Sequence, residues 1–132
     1  MTKKRISKSE KEWKSILTDA EYKVLREKDT EPPFRGKYVY NKEKGVYVCA
    51  GCGNKLFNSD FKFDSSCGWP SFSKPFSDGN IEFKSDNSYS MNRIEVICSR
   101  CGGHLGHVFD DGPLPSGKRF CINSVALHFK KK

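Results

Sequence analysis

The apolar positions change period once along the chain, near Pro32-Pro33. Before that point Ser9 and Glu12 frame a capping box followed by Trp13, Ile16 and Leu17, and Thr18 and Glu21 frame a second followed by Tyr22, Val24 and Leu25. A hydroxyl that accepts from the main chain three residues on, with a Glu returning the bond, starts a helix, so two short helices are predicted. Beyond the prolines apolar residues recur at every second position: Tyr38 and Tyr40, Val46 and Val48, Ile81 and Phe83, Ile94, Val96 and Cys98, Phe120 and Ile122, then Val125, Leu127 and Phe129. Period two broken by turn formers such as Asp78-Gly79-Asn80 and Asp86-Asn87-Ser88 predicts strands. Few segments suit crossover helices, so the sheet is expected to be mainly antiparallel. The pattern reads as one mainly β domain over residues 1–132 with an N-terminal helical arm.

Composition agrees with a single core. At 132 residues, 36% hydrophobic and 13% aromatic, the chain has the size and apolar content of one globular domain. Its longest apolar run, Val46 to Ala50, falls far short of the roughly 18 residues that cross a bilayer. No apolar stretch follows the basic start Met1-Thr2-Lys3-Lys4-Arg5, so a cytoplasmic location and no membrane partner are expected. The net charge of +8 points toward nucleic acid until its placement is considered. Eight of the 24 Lys and Arg lie in residues 1–11 and 130–132, which leaves the body nearly neutral. Residues 1–8 and 130–132 read as flexible basic tails, with no specific nucleic-acid face and a monomer as the default state.

Six cysteines in a chain of this kind point to metal or redox chemistry rather than a disulfide framework. Their spacing divides them. Cys49-x-x-Cys52 and Cys98-x-x-Cys101 are two close pairs, 45 residues apart, each followed by Gly. Each such turn aims two thiolates at one point, and four thiolates suit a closed tetrahedral zinc site, with one structural Zn2+ per chain. A closed site has no open position for a substrate, so this metal is expected to hold the scaffold rather than to react.

Cys67 and Cys121 are left over. Alternation along the last strands puts Arg119, Cys121 and Asn123 on one face, where a guanidinium favours a thiolate. The same pattern fits a buried structural Cys beside an Arg in an ion pair. His104 and His107 follow the second CxxC turn directly and read either as donors and acid/base groups or as satisfied structural histidines. His128 alternates with Leu127 and Phe129 and receives no role. Cys67 lies in Ser66-Cys67-Gly68-Trp69-Pro70-Ser71-Phe72, a turn-rich stretch predicted to be a surface loop whose Trp69 is either a core aromatic or a pocket wall.

Taken in order, Cys-x-x-Cys, Gly68-Trp69-Pro70-Ser71-Phe72, the run from Cys98 to Pro113 and Arg119-Phe120-Cys121-Ile122-Asn123-Ser124 resemble the type B methionine sulfoxide reductases, specific for the R epimer. The helical arm and Thr30-Glu31-Pro32-Pro33-Phe34 resemble the N-terminal segment of that family, so only the tails fall outside. The resemblance implies an antiparallel β-sheet barrel or tent with zinc remote from the active site. It implies Cys121 as nucleophile, Cys67 as resolving thiol and Trp69 against the substrate's S-methyl group. It further implies that His104, His107 and Asn123 bind or protonate the sulfoxide oxygen, that Arg119 lowers the Cys121 pKa, and that thioredoxin is the reductant. Phe109 joins Trp69 as a second aromatic able to select the methyl group. Free or protein-bound methionine sulfoxide is the expected substrate.

Two other readings share some of these features. A non-catalytic zinc module docking its basic tails on RNA or an acidic partner accounts for four cysteines and the charge, but gives Cys67, Cys121 and the histidines no task. A peroxide-reducing thiol protein uses the two cysteines but needs no methyl-sized aromatic pocket.

Overall fold

A computed structural model describes residues 6–132, so the basic start at Met1–Arg5 lies outside the described residues. Both helices begin where the capping boxes place them. Helix α1 (Glu10–Ile16) is capped by Ser9 and α2 (Asp19–Glu27) by Thr18, each with the reciprocal Glu bond formed. Lys28, in the left-handed region at φ 58°, ends α2. The inner faces bury Trp13 from α1 and Tyr22, Val24 and Leu25 from α2.

Nine strands follow: β1 (Gly45–Cys49), β2 (Lys55–Asn58), β3 (Lys62–Phe63), β4 (Ser71–Phe72), β5 (Ile81–Asp86), β6 (Arg93–Cys98), β7 (His104–Phe109), β8 (Arg119–Ile122) and β9 (Leu127–Lys131). They form a three-stranded sheet in the order β2-β1-β9 and a six-stranded sheet in the order β3-β4-β8-β7-β6-β5, antiparallel throughout. The expected barrel therefore gives way to two open sheets. Strands β3 and β4, two residues each, are too short to carry a ladder round to the far edge at β5.

Aromatic rings fill the space between the sheets. Phe57 of β2 stacks on Phe72 of β4 with centroids 4.4 Å apart, and Tyr47 of β1 meets Phe72 edge-on at 5.1 Å. Three fully buried rings at one seam join the sheets into one core, a geometry that adds favourable ring contacts to the area hidden from water.

Two expectations change here. Tyr38 and Tyr40, which alternate like a strand, lie in a run of turns where Val39 N–H donates to the Gly36 carbonyl. Phe83 lies in β5 as its alternation predicts, level with buried Val96 and 6.2 Å from the Phe120 ring, yet is 56% exposed because β5 is the edge strand. Lys130 and Lys131, expected in a tail, pair with Val46 and Gly45 as the end of β9. Among the described residues no helix is long and apolar enough to cross a membrane.

Candidate active site

One transverse row of the six-stranded sheet carries most of the chemistry. Antiparallel register places Glu95 of β6 opposite His107 of β7, His107 opposite Cys121 of β8, and Cys121 opposite Ser71 of β4. Residues at paired positions project to the same face, so four polar side chains far apart in sequence become neighbours. A bulge adds His104 to that face. Gly106 pairs with Val96 but His104 with Ile97, so Leu105 is an extra residue in β7. Without it, residues three apart on a strand would face opposite ways. With it, the two imidazoles stand 5.5 Å apart, centroid to centroid.

The row opens into a cleft of about 260 Å³. Cys121 and Cys67 line it, as do His107, Asn123 and Arg119, with Trp69 and Phe109 as aromatic walls. Thr30, Arg93 and Gly106, which the sequence did not single out, complete the lining. His104 does not reach the cleft. It is 2% exposed, its Nδ1 lies 2.7 Å from Glu95 Oε2, and burial, only partly opposed by that carboxylate, pushes its pKa down. The four CxxC cysteines and His128 also lie elsewhere; His128 pairs with Glu21 at the surface.

The two singleton sulfurs, 54 residues apart in sequence, approach to 3.1 Å. Cys67 also takes a bond of 3.0 Å from the Ser65 hydroxyl and contacts that of Ser71 at 3.3 Å. The bond from Cys121, followed by those from the two hydroxyls, outweighs burial and holds the Cys67 thiol down to about 4. Cys121 moves the other way. Its bond to Cys67, burial and the adjacent negative charge push it well above the ordinary thiol range, and the opposing pull of Arg119 does not restore it. The bond between the two sulfurs thus moves Cys67 down and Cys121 up, while Arg119 pulls Cys121 back toward the thiolate. Arg119 grips Asp111 through two bonds of 2.8 and 3.2 Å and lies over the Phe109 ring at 4.4 Å.

The cleft wall is tied from behind by Glu31. Its N–H donates to Asn123 Oδ1 at 3.0 Å, its carbonyl accepts from Trp69 Nε1 at 2.9 Å, and its Oε1 accepts from Val125 N–H at 2.8 Å. Asn123 Nδ2 donates to the Leu105 carbonyl at 3.0 Å. Both ends of the Asn123 amide are thus engaged by main chain. Glu31, Asp86, Glu95, Ser65 and Ser71 received no site role from the sequence, although Glu31 and Ser71 lie in its motif segments, because each acts through a partner brought close only by the fold. The one available signal was a carboxylate at a buried strand position.

Away from the cleft, the two CxxC turns meet. Cys49 and Cys101 sulfurs are 3.7 Å apart, Cys52 and Cys98 sulfurs 3.5 Å, and all four lie within 4.8 Å of one another. A tetrahedron of ~2.3 Å metal–sulfur bonds has edges of about 3.8 Å, so the donor set fits one metal ion. Gly53 and Gly102, at φ 78° and 74°, let each turn fold back so that their N–H groups reach the Cys49 and Cys98 carbonyls. Asn54 Nδ2 donates to Cys98 Sγ at 3.5 Å, and Arg26 of α2 reaches the Cys101 carbonyl at 2.9 Å.

Fold and site together define a small antiparallel β protein with a paired-thiol cleft set apart from a four-cysteine metal cage. The family model described as the SelR domain matches residues 17–131, and the chain belongs to that family. Among similar curated proteins are the peptide methionine sulfoxide reductases MsrB of Methanosarcina barkeri and Methanosarcina mazei. The first is 62% identical over 98% of this chain and 92% of the relative, the second 59% over 100% and 94%. That of Leptospira interrogans is 52% identical over 96% of this chain and 97% of its own.

Proposed function

We propose that the protein reduces methionine-(R)-sulfoxide, free or within proteins, to methionine by thiol chemistry at Cys121. The observation that carries this reading is the 3.1 Å approach of two free thiols in a cleft walled by Trp69 and Phe109 and lined by His107. A sulfoxide sulfur is a poor electrophile until its oxygen is protonated or strongly hydrogen-bonded, so a thiolate and a nearby acid are both needed. A substrate that parts the two sulfurs removes the bond from Cys121 to Cys67 and lets Cys67 take the proton, leaving the anion on Cys121, where Arg119 already favours it. Attack of Cys121 on the substrate sulfur, with proton transfer to oxygen, releases methionine and leaves Cys121 as sulfenic acid. The Cys67 thiol then displaces water to form a disulfide, and a dithiol protein such as thioredoxin reopens it by exchange.

Trp69 and Phe109 favour a methyl group on one side of the sulfur, which selects the epimer. The four-cysteine cage is read as structural zinc: the ion supplies cross-linking, and the cage cysteines keep apart from the redox pair. A cytoplasmic setting, where thiols stay reduced, suits both sites.

The test is an epimer-resolved assay with dithiothreitol, in which the R sulfoxide is consumed and the S form is hardly touched. Turnover of both epimers alike, or of peroxide alone, overturns the proposal; no turnover with tight, salt-sensitive RNA binding would favour the non-catalytic zinc module. Cys121→Ser should abolish reduction, whereas Cys67→Ser should release one methionine per chain yet fail to cycle with thioredoxin.

A further inference from the structure

The two oxygens of Asp86, 5% exposed at the end of β5, are divided between two tasks. Oδ1 accepts from the Ser88 main-chain N–H at 3.1 Å and from its hydroxyl at 2.7 Å, and Oδ2 lies 2.6 Å from His107 Nε2. Arg93, paired with Asp86 in the β5–β6 ladder, holds a guanidinium nitrogen 3.6 Å from the same Oδ2. Ser88 and Arg93 therefore fix the carboxylate while His107 lines the cleft one register step from Cys121. We propose that Asp86 is a positioning residue that commits Nε2–H of His107 to its carboxylate, turns Nδ1 toward the cleft, and keeps the imidazole able to deliver a proton to the sulfoxide oxygen.

This rests on the reading of His107 as the proton donor. In the step it serves, the substrate sulfur is reduced, Cys121 is oxidised to sulfenic acid, the His107 proton goes to the departing oxygen, and solvent returns a proton to the ring.

Other charges bear on that ring. Glu95 stands opposite His107 across the ladder, but it is held by His104 at 2.7 Å and by Lys28 at 3.3 Å. Arg119 and Cys121 approach from β8, Cys67 from across the cleft, and Arg119 is occupied by Asp111. Asp86 is the anion in direct contact with His107.

The test is single-turnover methionine release, without reductant, from wild type, Asp86→Asn, His107→Asn and the double variant between pH 5 and 9. Asp86→Asn should slow release about 10- to 100-fold and change the shape of its pH profile. Its KM should hold, and the double variant should be no slower than His107→Asn. An unchanged rate and pH profile, or multiplicative losses in the double variant, would overturn the positioning role alone. Full release by His107→Asn would overturn the donor reading with it. If Asp86→Asn does not fold, nitrogen-15 imidazole spectra of the wild type decide: a proton on Nε2 supports the assignment, and a bare Nε2 overturns it.

Discussion

At Cys67 the sulfur meets the Cys121 thiol and the hydroxyls of Ser65 and Ser71, all able to stabilise an anion there, while the same sulfur–sulfur contact raises the Cys121 thiol. The folded thiol at position 67 is depressed to about 4 against an ordinary value of about 8.5, so its thiolate persists at neutral pH, and the stability linked to it, full above about 8.5, is lost progressively as the pH falls to about 4. Iodoacetamide added to the fully reduced protein at pH 6 should therefore label Cys67 ahead of Cys121, as read by peptide mass mapping. Ser65→Ala should slow that labelling severalfold near pH 4 and hardly at pH 6 or above, where the thiolate is already formed with or without that donor. Labelling of Cys121 first would place the anion on the wrong sulfur.

Between strands, the site depends on how closely β7 and β8 approach. A Cβ built on Gly106 would lie 2.0 Å from the Cys121 carbonyl oxygen, a main-chain atom that cannot swing aside. Gly106→Ala should push β8 away from β7, cost more than about 2 kcal/mol in denaturant unfolding, and lower activity beyond what the lost stability explains. A variant of wild-type stability and rate would show that the ladder yields easily. The same contrast separates what the sequence revealed from what it hid. Capping boxes at Ser9 and Thr18 and the CxxC turns were legible because side chain and main-chain partner lie within four residues. The Cys67, Trp69 and Cys121 segments were legible through the resemblance they carry. Glu95 and Asp86 were not, since their partners are fixed by register and by the bulge at Leu105, and alternation alone does not report a bulge. Tyr38 and Tyr40 alternated without any strand for them to pair with.

The molecule as a whole is joined between its sheets by the aromatic seam of Tyr47, Phe57 and Phe72, by the bond of 2.6 Å from Asn80, just before β5, to the Lys55 carbonyl of β2, and by the cysteine cage. Cys49 ends β1 of the three-stranded sheet and Cys52 lies in the turn after it, while Cys98 ends β6 of the six-stranded sheet and Cys101 lies in the turn after that, so an ion held by all four would tie one sheet to the other. The helical arm lies over this tie. A Cβ on Gly103 would sit 2.9 Å from the Leu25 side chain, Arg26 bonds the Cys101 carbonyl, and its guanidinium stacks on Trp13 at 4.6 Å. Loss of the ion should therefore loosen both the sheet pair and the arm, while the aromatic seam still holds a core. Cys98→Ser is expected to bind no zinc, against one ion per wild-type chain by elemental analysis. Losing a structural ion removes several kcal/mol, and each kcal/mol shifts the midpoint by a few degrees in a domain of this size, so Tm should fall by more than about 10 °C. Because none of the four cysteines lines the cleft, the folded fraction should still release one methionine per chain at low temperature. An unchanged Tm with the metal gone would remove the cage from the scaffold, and a folded variant unable to release methionine would instead bring the cage into the chemistry.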